Sequence, residues 1–399
     1  MIKQITLFLT CLALTFSAFS TGINPFQGNA RSGAVSFVIN NVAYVGLGNN
    51  SDSVMRTFKK YDPAVGEWEA AATFPGTART EAVAFVIGEK AYVGLGRSKY
   101  PFSYYSDFYE YNPQSNEWTQ IADFGGSANY NAVAFASTEF GFVGTGRNAD
   151  GDTNAFWKYN PQENTWTQVA NVNGGARNGA VAFFINGKGY VSGGQSVTTY
   201  TTVYSDVQEY NPETNTWTER IFADGINLSF YNASAIVVGN MAFICYGNKT
   251  QVTQYNPANN TKVSLGDVLN LSASRNDPVT FFLNNKAYFG LGYHGYPEVY
   301  PSEILELNVG QTAINYDAET MLKIYPNPST GKFTIDLMDY NYNDAQVTVI
   351  NSLGQQVFKT EASSNSTSIE VDLTGMAKGI YFVIVKNNDQ ETTRKIIVQ

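Results

Sequence analysis

Arginine recurs at one place in this chain. Arg31, Arg79, Arg177 and Arg275 each stand just ahead of a short apolar run, and Asn129 and Phe230 take the same place before two further runs. Two positions on come Glu81, Asn131, Asn232 and Asp277, with Gly33 and Gly179 completing the series. Each apolar run is followed by a second one that ends in glycine. Just after it come Asn49, Arg97, Arg147, Gln195, Asn248 and Tyr293. The segments beyond are rich in aromatics: Tyr100, Phe102, Tyr104 and Tyr105, then Tyr200 and Tyr204, then Tyr296 and Tyr300 beside His294. Arginine interleaved with tyrosine suits a surface that binds sugars, carboxylates or peptides. The guanidinium forks onto carboxylates, and aromatic rings stack on apolar faces and cations. The candidate ligand-binding set is Arg79, Glu81, Arg97, Tyr104, Arg147, Arg177, Arg275, Asp277, Tyr293 and His294. Within it, the repeated arginines also fit a structural role, capping carbonyls once per repeat. Glu81, Asp277, Arg97, Arg147 and the loop tyrosines do not repeat, which makes them the better ligand candidates.

Other chemistry is poorly supplied. The chain has one histidine and two cysteines, of which Cys11 lies in the leader, so a zinc site or a Ser/His/Asp set has too few donors. No metal, cofactor or catalytic residue is expected. Asn148-Ala-Asp-Gly-Asp-Thr-Asn154 alternates oxygen donors as a calcium loop would, but its glycine is misplaced, and a solvated polar loop is the plainer reading. The Gly-x-Gly endings are not followed by a helical pattern, so they do not form a dinucleotide fingerprint.

These residues are positioned by a repeat. Tyr61, Tyr111, Tyr159, Tyr210 and Tyr255 are 50, 48, 51 and 45 residues apart. Each opens a stretch such as Tyr210-Asn-Pro-Glu-Thr-Asn-Thr-Trp217. Asn/Asp-Pro starts a turn, and five residues after the tyrosine only Gly66, Asn116, Asn164, Asn215 and Asn260 occur. Glycine and asparagine are the residues that best tolerate a left-handed backbone. Tyrosine and tryptophan then flank a tight hairpin on paired strands. Ahead of each hairpin lie two apolar strands, for example Ala82-Val-Ala-Phe-Val and Ala91-Tyr-Val-Gly-Leu-Gly96. The first has almost no polar alternation, which predicts burial on both faces. Four strands per unit and a period near 50 predict an all-β, six-bladed β-propeller. In such a blade the start of strand one and the end of strand two share a face. The candidate residues therefore crowd one mouth of the ring.

Glycines closing strand two, then tyrosine, then tryptophan at a fixed offset resemble kelch repeats over residues 21–310. Four copies match well. The fifth lacks the tryptophan, and the sixth, Leu307-Asn308, lacks both aromatics. The ring is closed either by Gln311 to Asp317 or by the residues before Ala30. Residues 311–321 read as a linker, and from Leu322 the period stops. Ile324-Tyr-Pro-Asn-Pro, the Asn351-Ser-Leu-Gly354 turn, the Gly379-Ile-Tyr strand and Lys395-Ile-Ile-Val predict a small Ig-like β-sandwich over 322–399. This segment resembles the C-terminal sorting domain of type IX secretion cargo. The resemblance implies a Bacteroidota-type cell, engagement of the type IX secretion machinery, and a secreted or outer-membrane cell-surface location.

Residues 1–20 fit a secretory signal: Lys3, an apolar run from Ile5 to Phe16, and Ala18-Phe-Ser20 for cleavage. The run is too short for a transmembrane segment. Net charge is −9, which argues against nucleic acid as a partner. The function expected is a non-catalytic module that binds a glycan or protein at the cell surface. The alternative follows from the kelch resemblance: some secreted bacterial kelch propellers are sialic acid mutarotases, and such an enzyme would use Arg and Glu/Asp at the mouth.

Overall fold

The computed structural model describes residues 23–197, 201–221, 230–246, 251–266, 274–307, 323–336, 346–351, 354–361, 368–386 and 391–399. The expected signal and linker, Tyr200 and Asn248 lie outside them. Among the described residues no helix is long and apolar enough to cross a membrane. Contacts divide the chain between Gln311 and Thr312.

The first unit is the six-bladed propeller. Five blades are four-stranded antiparallel sheets in simple chain order, and the sixth has three described strands, Val279–Leu283, Lys286–Gly290 and Ile304–Leu307. Blade one shows the plan, with Val35–Ile39 innermost, then Val42–Gly46, Phe58–Asp62 and Glu67–Ala71. The inner strands alternate buried and half-buried residues rather than burying both faces equally, and both faces meet a neighbouring blade. Val35, Phe37 and Ile39 pack against Ala91, Val93 and Tyr111 of blade two. Val38 faces the other way, toward Phe281 and Leu283 of blade six. Among the described residues an apolar cluster fills five of the six blade interfaces in this way, as expected of units that cannot bury a core alone.

The hairpin motif fastens these interfaces. Tyr111 and Trp118 sit directly opposite each other on paired strands, as do Tyr61 and Trp68, Tyr159 and Trp166, and Tyr210 and Trp217. Asn116, Asn164, Asn215 and Asn260 all have positive φ, between 51° and 55°. The Asn116 side-chain oxygen accepts from the Tyr111 hydroxyl at 2.9 Å and from the Ala72 amide of the previous blade at 2.9 Å. The Trp118 indole donates to the Ala72 carbonyl at 3.0 Å. Asn164 with Trp166 holds Ala122 in the same way, and Asn215 with Trp217 holds Ala170.

Blade one shows how the ring closes. Trp68 donates to the Asn24 carbonyl at 3.0 Å, so the N-terminal segment takes the place Ala72 takes elsewhere. The Phe26 amide donates to Ser302 at 2.7 Å, as Phe74 does to Arg56 at 2.9 Å. The residues before Ala30 therefore end the outer edge of blade six. The competing segment, 311–317, lies outside the described residues.

The glycines ending strand two have a steric cause. Gly48, Gly96, Gly146, Gly194 and Gly292 have φ between 81° and 96°. The Gly96 amide donates to the Asn129 carbonyl of the next blade at 2.8 Å, and a Cβ there would lie 2.7 Å from the Thr80 carbonyl oxygen. Gly96→Ala is expected to destabilise the propeller by about 3 kcal/mol, from backbone strain plus a clash that no side chain can relieve. Urea unfolding followed by tryptophan fluorescence checks this. A loss below ~1 kcal/mol would contradict it.

The second unit is a two-sheet sandwich. One sheet pairs Lys323–Tyr325, Lys332–Asp336 and Ser368–Asp372, and the other pairs Gln356–Glu361, Gln346–Asn351, Gly379–Lys386 and Glu391–Val398. Phe333, Ile335 and Val371 of the first pack with Val347, Val349, Val383 and Ile396 of the second. Asn327 explains why its motif carries an amide. It donates to the Lys395 carbonyl at 3.0 Å and accepts from the Ile397 amide at 3.0 Å, tying the opening segment to the final strand.

Candidate functional site

One residue per blade forms a closed ring around the propeller axis. Gly33, Glu81, Asn131, Gly179, Asn232 and Asp277 all have φ between 51° and 63°. Each amide donates to the carbonyl of its counterpart in the preceding blade at 2.9–3.2 Å, and Gly33 closes the circle onto Asp277. The left-handed backbone selects Gly, Asn and Asp, which occupy five of the six places. Glu81 is the exception. A long side chain held where it is conformationally disfavoured is a reason to look there for function.

Above the ring is a cup of about 510 Å³. The ring side chains Glu81, Asn131, Asn232 and Asp277 form its floor, and they also line the narrower channel below, which is walled by Ala34, Ala82, Ala132, Ala180 and Ala233. The cup walls come from short backbone bridges that pair Thr80 with Arg97, Tyr130 with Arg147, Asn178 with Gln195 and Asn276 with Tyr293.

Arg97 dominates the wall. Its Nε and Nη2 fork onto both oxygens of Glu81, the Nη2 contact at 2.8 Å. Its guanidinium lies between the rings of Tyr130 at 4.4 Å and Phe102 at 5.0 Å. Burial opposes its charge, but Glu81 outweighs burial and holds the pKa above the ordinary value. Its Nη1 has no hydrogen-bond partner among the described residues. Arg147 donates from Nη1 to Asp152 at 3.0 Å and to the Val197 carbonyl at 3.0 Å, leaving Nη2 open in the same sense. Asp152 also accepts from Asn178 at 2.7 Å, the Val197 amide at 2.6 Å and Ser196 at 3.2 Å. The 148–154 loop is a polar, solvent-facing loop, with Ala149 and Asp150 exposed, and its Asp152 carboxylate is spent joining blades three and four.

Asp277 has little to hold its charge. Among the described residues its side chain accepts one hydrogen bond, from Asn232 at 3.5 Å. Burial pushes its carboxyl up to about 8, the Glu81 charge adds to this, and Arg97 opposes it. Between its ordinary 3.8 and about 8 the folded chain binds a proton that the unfolded chain has lost, so ionisation opposes folding. The stability of the protein relative to Asp277→Asn is expected to fall as pH rises from about 4 to about 8, and to be flat above. Urea titrations of both proteins across that range test the slope. Parallel pH profiles would refute it.

Glu81, Arg97, Arg147, Asp277 and Tyr293 therefore meet in the cup. Five other candidates do not line it. Arg79 and Arg177 are fully buried between blades, each forked onto a carboxylate: Arg79 onto Asp107 at 2.5 and 2.8 Å, Arg177 onto Asp206 at 2.6 and 2.8 Å. Tyr105 and Tyr204 cover their guanidinium faces at 4.3 and 4.1 Å. Arg275 is likewise buried and pairs with Glu303 at 2.6 Å. These three arginines hold the ring together and are not placed to meet a ligand in the cup. Tyr104 stacks behind Tyr130 at 5.4 Å, and His294 pairs through its backbone with Val299. Sequence reasoning passed over Tyr130, Asn178 and Lys99. The available signal was variation at a fixed repeat position: Ser32, Thr80, Tyr130, Asn178 and Asn276 all follow the buried Arg/Asn site, yet include four residue types.

Comparisons with known proteins bear on both units. The model of a secretion-system C-terminal sorting domain matches residues 323–399. The kelch motif model matches residues 176–219. The chain is a kelch propeller with a type IX secretion sorting domain. Export by that system makes it a secreted or cell-surface protein. The kelch propeller is also similar to the solved structure of YjhT, with a TM-score of 0.57 over 70% of this chain and 95% of that one. Identity is 16%, so this likeness speaks to the fold alone. No curated protein matches the sequence significantly.

Proposed function

We propose that the kelch propeller is a non-catalytic binding module, displayed at or released from the cell surface, that takes an acidic sugar unit of a glycan in its cup. The supporting observation is the cup's chemistry. Arg97 is pinned by Glu81 between two aromatic rings, and its Nη1 has no partner among the described residues. Arg147 stands beside it with a second open nitrogen. A carboxylate suits those donors, and the pyranose ring suits the Phe102, Tyr130 and Tyr293 walls. A volume near 510 Å³ suits one or two sugar units. A glycan array probed with the full chain tests this, with sialic and uronic acids beside neutral sugars. Signal confined to acidic glycans supports the proposal. A blank array, or signal on neutral glycans alone, would sink it.

A second reading is favoured by Asp277. A carboxylic acid whose burial favours its protonated form, in the same cup as the Glu81 carboxyl that Arg97 holds, is the pair a sugar-acid mutarotase would need as proton donor and acceptor. Anomer exchange of free sialic acid, followed by NMR with and without the protein, separates the two. Acceleration abolished by Asp277→Asn would make the propeller an enzyme.

A further inference from the structure

The aromatic lining does not stop at the cup's edge. Tyr130, in the wall, stacks under Arg97 at 4.4 Å, and Arg97 lies under Phe102 at 5.0 Å. Phe102, half out of the cup at 55% exposure, meets Tyr100 edge to face at 6.3 Å. Tyr100 is 86% exposed, so the series climbs from the cup wall to open solvent along blade two. The loop that presents it is braced. Ser98 and Ser103 bond through their backbones at 2.9 Å, the Ser98 hydroxyl bonds the Pro101 carbonyl at 2.7 Å and the Ser103 amide at 2.8 Å, and Lys99 reaches the Asn50 carbonyl of blade one at 2.9 Å. A fixed loop exposing two large rings, continuous with a polar cup, forgoes burial that a collapsed loop would gain.

We infer that the ligand is the end of a linear acidic polysaccharide, with its terminal unit in the cup and the next units stacked on Phe102 and Tyr100. This rests on the acidic-sugar reading above and adds its length and direction. Sugar rings present apolar C–H faces at each unit, which flat aromatic faces complement, while the carboxylates along such a chain stay in water above the rim. A monosaccharide would fill the cup and leave the ladder unused. The other fully exposed mouth aromatic, Tyr296, makes no ring contact with this series and is not part of the path.

Calorimetry with the full chain tests this, using galacturonic acid and tetragalacturonate, and N-acetylneuraminic acid and its α2,8-linked tetramer. The tetramer of one series is expected to bind roughly tenfold more tightly than its monomer. Tyr100→Ala is expected to bring the tetramer down to the monomer's affinity, and Tyr296→Ala to preserve the ratio. Equal affinity for monomer and tetramer would overturn the chain-end inference while leaving the acidic-sugar reading standing. A length dependence that survives Tyr100→Ala, or is lost in Tyr296→Ala, would also overturn it. Absence of binding in both series would overturn the two together.

Discussion

Asp107→Ala is expected to destabilise the propeller by about 3–5 kcal/mol, the cost of stranding a buried charge. Arg79 has no exposed surface, and Asp107 takes both of its Nη groups at 2.5 and 2.8 Å. Arginine cannot escape by losing its proton. Its other contacts, the Leu95 carbonyl at 3.1 Å, the Thr77 carbonyl at 2.9 Å and the Phe74 and Tyr105 rings, satisfy donors without supplying the missing charge. Urea unfolding measures the loss cleanly, because all five tryptophans lie in the propeller and their fluorescence ignores the sorting domain. Glu69→Ala is the control. Its pairing with Lys60 at 3.3 Å is surface-exposed, and breaking it is expected to cost under about 1 kcal/mol. Equal losses in the two variants would mean that Asp107 is no more than a surface partner.

Arg97→Ala is expected to lower affinity for an acidic glycan by at least a hundredfold, about 2.7 kcal/mol or more. The substitution acts twice. It removes the guanidinium nitrogen open to a ligand carboxylate, and it leaves Glu81 unpaired beside Asp277 on the cup floor, so that the incoming anion meets a carboxylate. Arg97→Lys is expected to recover only part of the loss, since an ammonium cannot fork onto Glu81 and also lie flat between Phe102 and Tyr130. Calorimetry with whichever acidic glycan scores on the array decides the point. Affinity within fivefold of the parent in Arg97→Ala would remove Arg97 from the site.

Much of this architecture is legible in the sequence because a repeat prints the same physics several times. Six glycine-terminated strands, four Tyr/Trp hairpins and left-handed asparagines can be read only one way once aligned with each other. The site is harder to read for the same reason. Arg79 and Arg97 are both arginines near one mouth, and a single blade does not say which is swallowed by the next. What separates them is the distant carboxylate each meets: Asp107 lies beyond the variable loop, whereas Glu81 sits on the ring. Asp277 and Glu81 fall in one repeat column, but that the column closes into a hydrogen-bonded circle depends on all six blades being assembled. The edge that completes blade six was likewise ambiguous, because Asn24 and Phe26 carry none of the hairpin motif.

That edge has a kinetic meaning. Five blade interfaces join residues about one repeat apart in sequence, whereas the seam at Phe26 and Ser302 joins the two ends of the propeller. Loop closure over that length costs roughly 1.5 kcal/mol more than closure over a single repeat. Until it happens, blade one and blade six each present a bare apolar face, with Val38 on one and Phe281 and Leu283 on the other. The burial of Phe26 against Trp68, ring centroids 5.0 Å apart, is therefore the latch on which the lifetime of the finished ring turns.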